Sequence, residues 1–300
     1  MGVLAAGMLL AMGLSGSALA DESVAQVGTV STTTAGSTVL DTLKEKANLS
    51  LWSYYRGGAL TGLGDAYQPG VDGAADATSP QSIEGLVTAG YKFDKDNSLN
   101  IVPHFFVFPG KNEGSPGIKS PSVGLDAQML DPAIQFTRAN LINSDGFKLK
   151  LSSYVFLPVT SNELRRTAVA TALEQAFNLS YDAPSTRLTL GWYGYLKGYI
   201  ASADSPDNVR SYKLVGAPYA NYQLTPKLAA TVWVDLIGSI RQRGSEGFIA
   251  GMQNSDADIE PGFNWDITDT ISLNPFLNIY PNNPTMAATS LQAVLTAKAF

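Results

Sequence analysis

Apolar and polar residues alternate along most of the chain from Asn48 onward, which is the pattern of a β-strand whose two faces meet different surroundings. The alternation is clearest in residues 147–157, 188–197 and 256–267. In residues 147–157 one face carries Phe147, Leu149, Leu151, Val155 and Leu157, and the other carries Lys148, Lys150, Ser152 and Tyr154. Each segment therefore predicts a strand with one apolar and one polar face.

The same pattern predicts about twelve strands. They span residues 48–56, 83–93, 99–108, 132–141, 147–157, 168–181, 187–202, 209–224, 227–240, 256–267, 271–280 and 289–300. Five of the connections are short and rich in Asn, Asp, Gly, Pro, Ser or Thr, at residues 94–98, 143–146, 182–185, 225–226 and 268–270. Longer connections, such as residues 57–82, 109–131 and 241–255, alternate with them.

Short turns at one end and long loops at the other are typical of an up-and-down barrel in an outer membrane. An even strand number with both termini on the short-turn side fits the same architecture. We therefore expect an all-β fold, an antiparallel up-and-down transmembrane β-barrel of about twelve strands over residues 47–300. The alternative is a soluble β-sandwich or lipocalin-like barrel, whose apolar faces would point inward.

The composition favours the membrane barrel. Charged residues make up 15% of the chain, whereas soluble domains average about 25%. The net charge of −6 and the absence of a basic cluster argue against nucleic acid as a partner. Because the chain has no cysteine, a disulfide framework, a thiolate metal site and a cysteine nucleophile are excluded.

Residues 1–20 have the character of a cleaved signal peptide. They are almost wholly apolar or small and end in Ala18-Leu19-Ala20 before Asp21, although no Lys or Arg precedes the apolar core. Residues 21–46 are rich in Ser, Thr, Gly and Val and predict a periplasmic tail, with a short helix at residues 39–47. The mature chain has no uninterrupted apolar run of about 18 residues that would predict a membrane helix.

The Ala18-Leu19-Ala20 ending, the turn pattern and the terminal Phe300 together resemble Gram-negative outer-membrane β-barrel proteins, a class that includes porins. The resemblance implies a place in the cell outer membrane, contact with its lipid and lipopolysaccharide, and recognition of Phe300 by the barrel-assembly machinery. It leaves a homo-oligomer open. One departure is that polar residues share the parity of Phe300 near the end of the chain; they are Gln292, Thr296 and Lys298. A bulge near the end of the chain, or tolerance of a weak signal, would reconcile this departure with the family pattern.

Two candidate chemical sites are weak. His104, the only histidine, shares the parity of Asn100 and Phe106, which predicts a lumen or packing role. Outer-membrane phospholipases would have a serine two residues after the histidine, and outer-membrane aspartyl proteases an aspartate two residues before it; this chain has Phe106 and Val102 there. Three loop carboxylates, on Asp65, Asp72 and Asp76, lie among glycines and could collect Ca²⁺, but solvated loop acids are far commoner. We expect neither a catalytic residue, nor a cofactor, nor a resident metal.

The more informative set is the charged residues with lumen parity. The basic members are Lys148, Lys150, Arg187, Lys197 and Lys213, on the fifth, seventh and eighth predicted strands. The acidic members are Asp235, Asp258, Glu260 and Asp266, on the ninth and tenth. This distribution predicts separate basic and acidic walls that orient polar solutes and set ion selectivity. The alternative is a plugged lumen in which the same charges pair as buried salt bridges.

Five tyrosines share the lumen parity and could form a stacking track for solutes, although tyrosines near barrel ends more often form the interfacial girdle. They are Tyr54, Tyr154, Tyr193, Tyr195 and Tyr219. The leading hypothesis is a porin-like channel for passive diffusion of ions and small polar solutes. The alternatives are a non-conducting structural or adhesive barrel that acts through its loops and, third, an outer-membrane hydrolase.

Overall fold

A computed structural model describes residues 45–62, 81–108, 126–159, 169–203, 209–242, 252–254 and 257–299. The signal peptide, nearly all of the tail, Asp65, Asp72, Asp76 and Phe300 lie outside the described residues. Of the short helix predicted at residues 39–47, only Glu45 and Lys46 are described with helical backbone, and Ala47 already belongs to the first strand.

The described part of the chain forms twelve antiparallel strands in one sheet, four of them in two segments. They are β1 (Ala47–Ala59), β2 (Ser82–Lys92), β3 (Asn97–Val102 and His104–Phe108), β4 (Asp126–Met129 and Ala133–Ser144), β5 (Phe147–Phe156), β6 (Val169–Asp182), β7 (Leu188–Ala201), β8 (Arg210–Thr225), β9 (Leu228–Asp235 and Ile237–Gln242), β10 (Met252–Asn254 and Asp258–Asp266), β11 (Ile271–Asn278) and β12 (Ser290–Lys298).

Each strand pairs with its neighbours in sequence, and β1 pairs with both β2 and β12, so the sheet is closed. The seam between β1 and β12 runs from Ser50 opposite Lys298 to Ala59 opposite Ser290. The predicted fold class, an antiparallel up-and-down barrel of about twelve strands, is confirmed. The five short connections and the two ends of the sheet, at Ala47 and Lys298, lie on the same side of the barrel, and the strand ends that adjoin the six longer connections lie on the other.

The apolar faces of the strands point outward. On β5, Phe147 and Val155 are exposed while Ser152 is buried; on β7, Leu196 is exposed while Tyr193 is buried. This is the reverse of a soluble barrel, whose apolar side chains fill the interior. Among the described residues no helix is long and apolar enough to cross a membrane.

Local sequence explains the tight turn between β4 and β5. Asp145 and Gly146 both have positive φ, 53° and 83°, which is the conformation that a two-residue type I′ hairpin needs. A Cβ on Gly146 would also lie 2.7 Å from the carbonyl oxygen of Asp182. Glycine is therefore the residue that fits this turn without strain.

The structure differs from the predicted strands mainly at their long-loop ends. β3 is interrupted at Pro103, which has no N–H to donate to a ladder. A short segment, Asp126–Met129, precedes the main part of β4, and β9 is interrupted at Leu236 and ends at Gln242, two residues beyond the predicted strand. A register shift between Arg138 and Ile142 adds residues to β4 opposite β5, which a strictly alternating pattern does not reveal.

Candidate functional site

The interior of the barrel holds a large share of polar and charged side chains. Those below a tenth exposed include Arg56, Glu84, Asn100, His104, Asp131, Gln135, Asn178, Lys197, Lys213, Glu260, Asn278 and Gln292. They alternate along the strands with the exposed apolar residues, so they belong to the inward faces. Because polar groups are costly to bury without partners, the contacts of this interior decide what it can do.

A pair of lysines lies side by side on β7 and β8. Lys197 and Lys213 are directly opposite each other in the strand register, and each is 2% exposed. The ammonium of Lys197 lies 3.3 Å from the centre of the Phe156 ring and 3.9 Å from Oε2 of Glu174. The ammonium of Lys213 lies 5.4 Å from the centre of the Tyr195 ring. Aromatic faces therefore support both cations.

A second group joins β1, β2 and β3. The Glu84 side chain is fully buried, and its two carboxylate oxygens have different partners. Nη2 of Arg56 donates to Oε2 at 3.2 Å, and Nε2 of His104 lies 2.7 Å from Oε1. Arg56 also lies over the ring of Tyr54 at 5.1 Å. His104 is thus buried on the inward face, with Glu84 as its partner.

Three carboxylates lie close together on β9 and β10. Asp235 and Asp258 are opposite each other in register, and Glu260 follows on the same face. Nδ2 of Asn278 donates to Asp258 at 3.0 Å and to Glu260 at 3.3 Å. Asp235 interacts electrostatically with Lys213, and Glu260 interacts electrostatically with Arg56. In the described part of the chain, no three His, Asp or Glu side chains are arranged to hold a metal ion.

The remaining predicted lumen charges lie nearer the short-turn end. Lys148 and Arg187 are exposed; Lys148 forms a 2.8 Å ion pair with Asp182, and Arg187 donates to the carbonyl of Leu224 at 3.4 Å. Lys150 is half-buried opposite Asn178, and Asp266 is half-buried in a small pocket with Asn264 and Thr296. These residues therefore lie apart from the two buried lysines.

The five inward tyrosines lie inside the barrel, but they are held by neighbours. Tyr219 stacks on Trp233 at 4.2 Å and donates to Oδ1 of Asn178 at 2.8 Å. Tyr54 stacks on Trp52 and Phe276 and donates to Gln292. Tyr154 accepts from Nε2 of Gln135 at 2.7 Å, and Tyr193 and Tyr195 are 2% exposed.

A cavity of about 60 Å³ opens inside the barrel beside the lysine pair. The ionisable residues on its wall, which we call the charged layer, are His104, Asp131, Glu174, Lys197 and Lys213. The rest of the wall is aromatic and aliphatic and includes Tyr154, Phe156 and Leu86. A volume of this size accommodates a few water molecules or a small ion. No serine, threonine or cysteine belongs to the described lining, so that lining offers His104 neither an aliphatic hydroxyl nor a thiol as a nucleophile.

Sequence parity brought together many of these residues but not their partners. The prediction of fully separate basic and acidic walls is wrong in part, because Glu174 adjoins Lys197 and Asp182 pairs with Lys148. Arg56, Glu84, Asp131 and Glu174 were missed as interior charges. Arg56 shares the parity of Tyr54 on β1, so the alternating pattern could have found it, whereas no residue of β2 or β6 was singled out to mark the inward face for Glu84 or Glu174.

Comparisons with known proteins agree with the fold. No protein-family model matches the chain, and no curated protein matches it. Among solved structures, the COG4313 outer membrane channel from Pseudomonas putida F1 aligns with a TM-score of 0.52 at 12% identity, covering 84% of this chain and 95% of that one. The NanC porin aligns with a TM-score of 0.44 at 10% identity, covering 84% of this chain and 100% of that one. The chain thus has the closed antiparallel barrel fold seen in outer-membrane channel proteins.

Proposed function

We propose that the protein is an outer-membrane channel that lets ions and small polar solutes diffuse passively through its lumen. The observation that carries the proposal is the lysine pair, Lys197 and Lys213, buried on the inward face beside a cavity. A lumen that served only to fill the barrel could be packed with apolar side chains, which cost no desolvation of charge. Fixed charges on the wall instead replace part of the hydration of a passing ion.

The placement of charge would create an electric field across the width of the proposed passage. The lysine pair lies on β7 and β8, and Asp235, Asp258 and Glu260 lie on the adjoining β9 and β10. In a narrow space with low-dielectric walls, such an arrangement orients dipolar solutes and favours ions of one sign at each wall. The cavity of about 60 Å³ beside the lysine pair has room for a few water molecules or a small ion.

The proposal is tested by single-channel recording of the purified, detergent-folded protein in a planar bilayer, with a salt gradient. Discrete and reproducible conductance steps are expected. A folded protein, verified by β-sheet circular dichroism and by heat-modifiable migration on a gel, that gives no steps would refute the channel.

Lys213→Gln tests the role of the charged layer. One charge acting on an ion about 4 Å away contributes about 1 kcal/mol in water. We therefore expect the cation-to-anion permeability ratio to rise by about fivefold or more. Lys148→Gln is the matched control, because Lys148 is exposed and paired with Asp182 at the short-turn end. An equal shift in both variants would remove the charged layer as the selective region.

A non-conducting barrel that acts through its long loops is the second candidate. It is favoured by the internal pairing of Arg56, Glu84 and His104, which leaves Glu84 fully buried. The same recording distinguishes the two candidates, since a folded but non-conducting barrel gives no conductance steps. A hydrolase is not proposed, because the cavity lining described around His104 supplies no serine, threonine or cysteine.

A further inference from the structure

A cationic side chain, that of Arg138 on β4, lies on the outward face of the barrel. On β4 the side chains of Gln135 and Thr137 point inward and are buried, while Phe136 and Arg138 alternate with them and are exposed. Among the described residues, Arg138 has no hydrogen-bond or ion-pair partner for its guanidinium. The other arginines with described side chains, Arg56 and Arg187, both donate to an oxygen of the protein.

The strand register places Arg138 near the short-turn end of the barrel. It is opposite Asn97, the first residue of β3, and so lies level with the turn between β2 and β3. The N–H of Ala139 donates to the carbonyl of Asp96 at 2.7 Å, and Nδ2 of Asn140 donates to its carboxylate at 2.6 Å. These bonds fix the backbone on which Arg138 stands.

Exposed aromatic residues surround this position on the outward face. Tyr91 and Phe93 are 50% and 51% exposed and meet edge to face, with their ring centres 5.7 Å apart. Phe136, which is opposite Leu99, is exposed one step further from the turn. Aromatic residues at this level are typical of the girdle where a barrel meets the lipid headgroups.

A cation at the girdle is stabilised if an anion of the membrane meets it. The nearest acidic residues of the turn have other partners: Asp94 accepts from the backbone and side chain of Asn97, and Asp96 accepts from Asn140. The planar guanidinium matches the oxygens of a phosphate group in a bidentate contact. The anion that a membrane supplies at this depth is the phosphodiester of a glycerophospholipid.

We propose that Arg138 binds the phosphodiester of a glycerophospholipid in the leaflet at the short-turn end, the periplasmic leaflet of an outer membrane. The acyl chains lie against Tyr91, Leu99 and Phe136, and the headgroup lies at the level of Phe93 and Asn97. This site requires a barrel in a lipid bilayer and does not depend on conduction through the lumen.

The test is native mass spectrometry of the folded, full-length mature barrel in detergent, titrated with phosphatidylglycerol. Arg138→Gln is expected to lower the affinity of the first bound lipid by about fivefold, the contribution of one cation near a lipid surface. Arg187→Gln is the matched control, because Arg187 is exposed at the same end of the barrel and has inward parity. A diacyl galactolipid, which has no phosphate, is the control lipid.

Loss in Arg138→Gln alone, with weak galactolipid binding in all variants, supports the site. Equal loss in both variants would show attraction by overall charge and would overturn it. Equal binding of the galactolipid, or a preference for lipopolysaccharide at Arg138, would overturn it as well. Conductance is expected to be unchanged in Arg138→Gln, so failure of the lipid site and failure of the channel give different results.

Discussion

Gly191 on β7 lies directly under an aromatic ring. It is opposite Tyr219 in the register, and a Cβ added to it would lie 2.1 to 2.5 Å from atoms of the Tyr219 ring. Real carbon atoms do not approach so closely, so in Gly191→Ala the ring must move. It would leave its stack on Trp233 and its hydrogen bond to Asn178.

The expected cost follows from these contacts. Overpacking costs about 1–3 kcal/mol, loss of the hydrogen bond about 1 kcal/mol and loss of the ring stack about 1 kcal/mol. Because the ring relaxes partly, these contributions do not add fully. We expect Gly191→Ala to lower the free energy of unfolding by about 2–4 kcal/mol.

The assay is urea unfolding of the barrel in detergent or lipid, followed by tryptophan fluorescence under conditions where folding is reversible. Gly198→Ala on the same strand is the control, because a Cβ there meets no atom within 4 Å. It should change the free energy by less than about 1 kcal/mol, toward greater stability if at all. In the background of Tyr219→Ala the cost of Gly191→Ala should largely disappear. Equal effects of the two glycine substitutions, or a cost that persists without Tyr219, would refute the reasoning.

Two further predictions concern charged groups. Glu84→Ala leaves Arg56 and His104 without their shared carboxylate and should lower the free energy of unfolding by about 3 kcal/mol, whereas Asp182→Ala, at the exposed pair with Lys148, should cost less than about 1 kcal/mol. Similar losses in the two variants would contradict a Glu84 carboxylate that is shielded from water. In the β2–β3 turn, hydrogen bonds from the Asn97 side chain and the Asp96 backbone lower the pKa of Asp94 below its usual 3.8. The contribution of Asp94 to the turn should therefore be fully present above the unfolded-state pKa and be lost as pH falls through the lower, folded-state pKa. The protection factor of the Asn97 amide in hydrogen exchange measures this loss. A protection factor that does not change with pH, or that changes equally in Asp94→Asn, would contradict the assignment.

Alternation along the chain predicted the strands and their inward faces well, because the period of two is a local property. It placed Tyr193, Tyr195, Lys197 and Lys213 on inward faces, where all four are buried. It could not give the pairings between strands, since these depend on the register and shear of the closed sheet.

The interior contacts show the difference. Lys197 lies beside Glu174 because the two residues are opposite each other across the sheet. Glu84 is opposite Tyr54 and Phe106, so its contacts with Arg56 and His104 run diagonally between neighbouring strands. The alternating pattern also did not reveal the interruptions of β4, β9 and β10. Each interruption separates a short segment beside a long connection from the rest of the strand, and so short a segment shows little alternation of its own.

The seam between β1 and β12 has a consequence for biogenesis. β1 is among the first strands to leave the ribosome, and its partner Ser290–Lys298 is the last. Until that segment exists, both edges of the sheet keep unpaired backbone groups, which invite pairing with other chains. Closure also joins segments more than 230 residues apart, and such distant contacts form slowly. The unfinished chain must therefore be kept from pairing with other copies of itself until β12 has been synthesised.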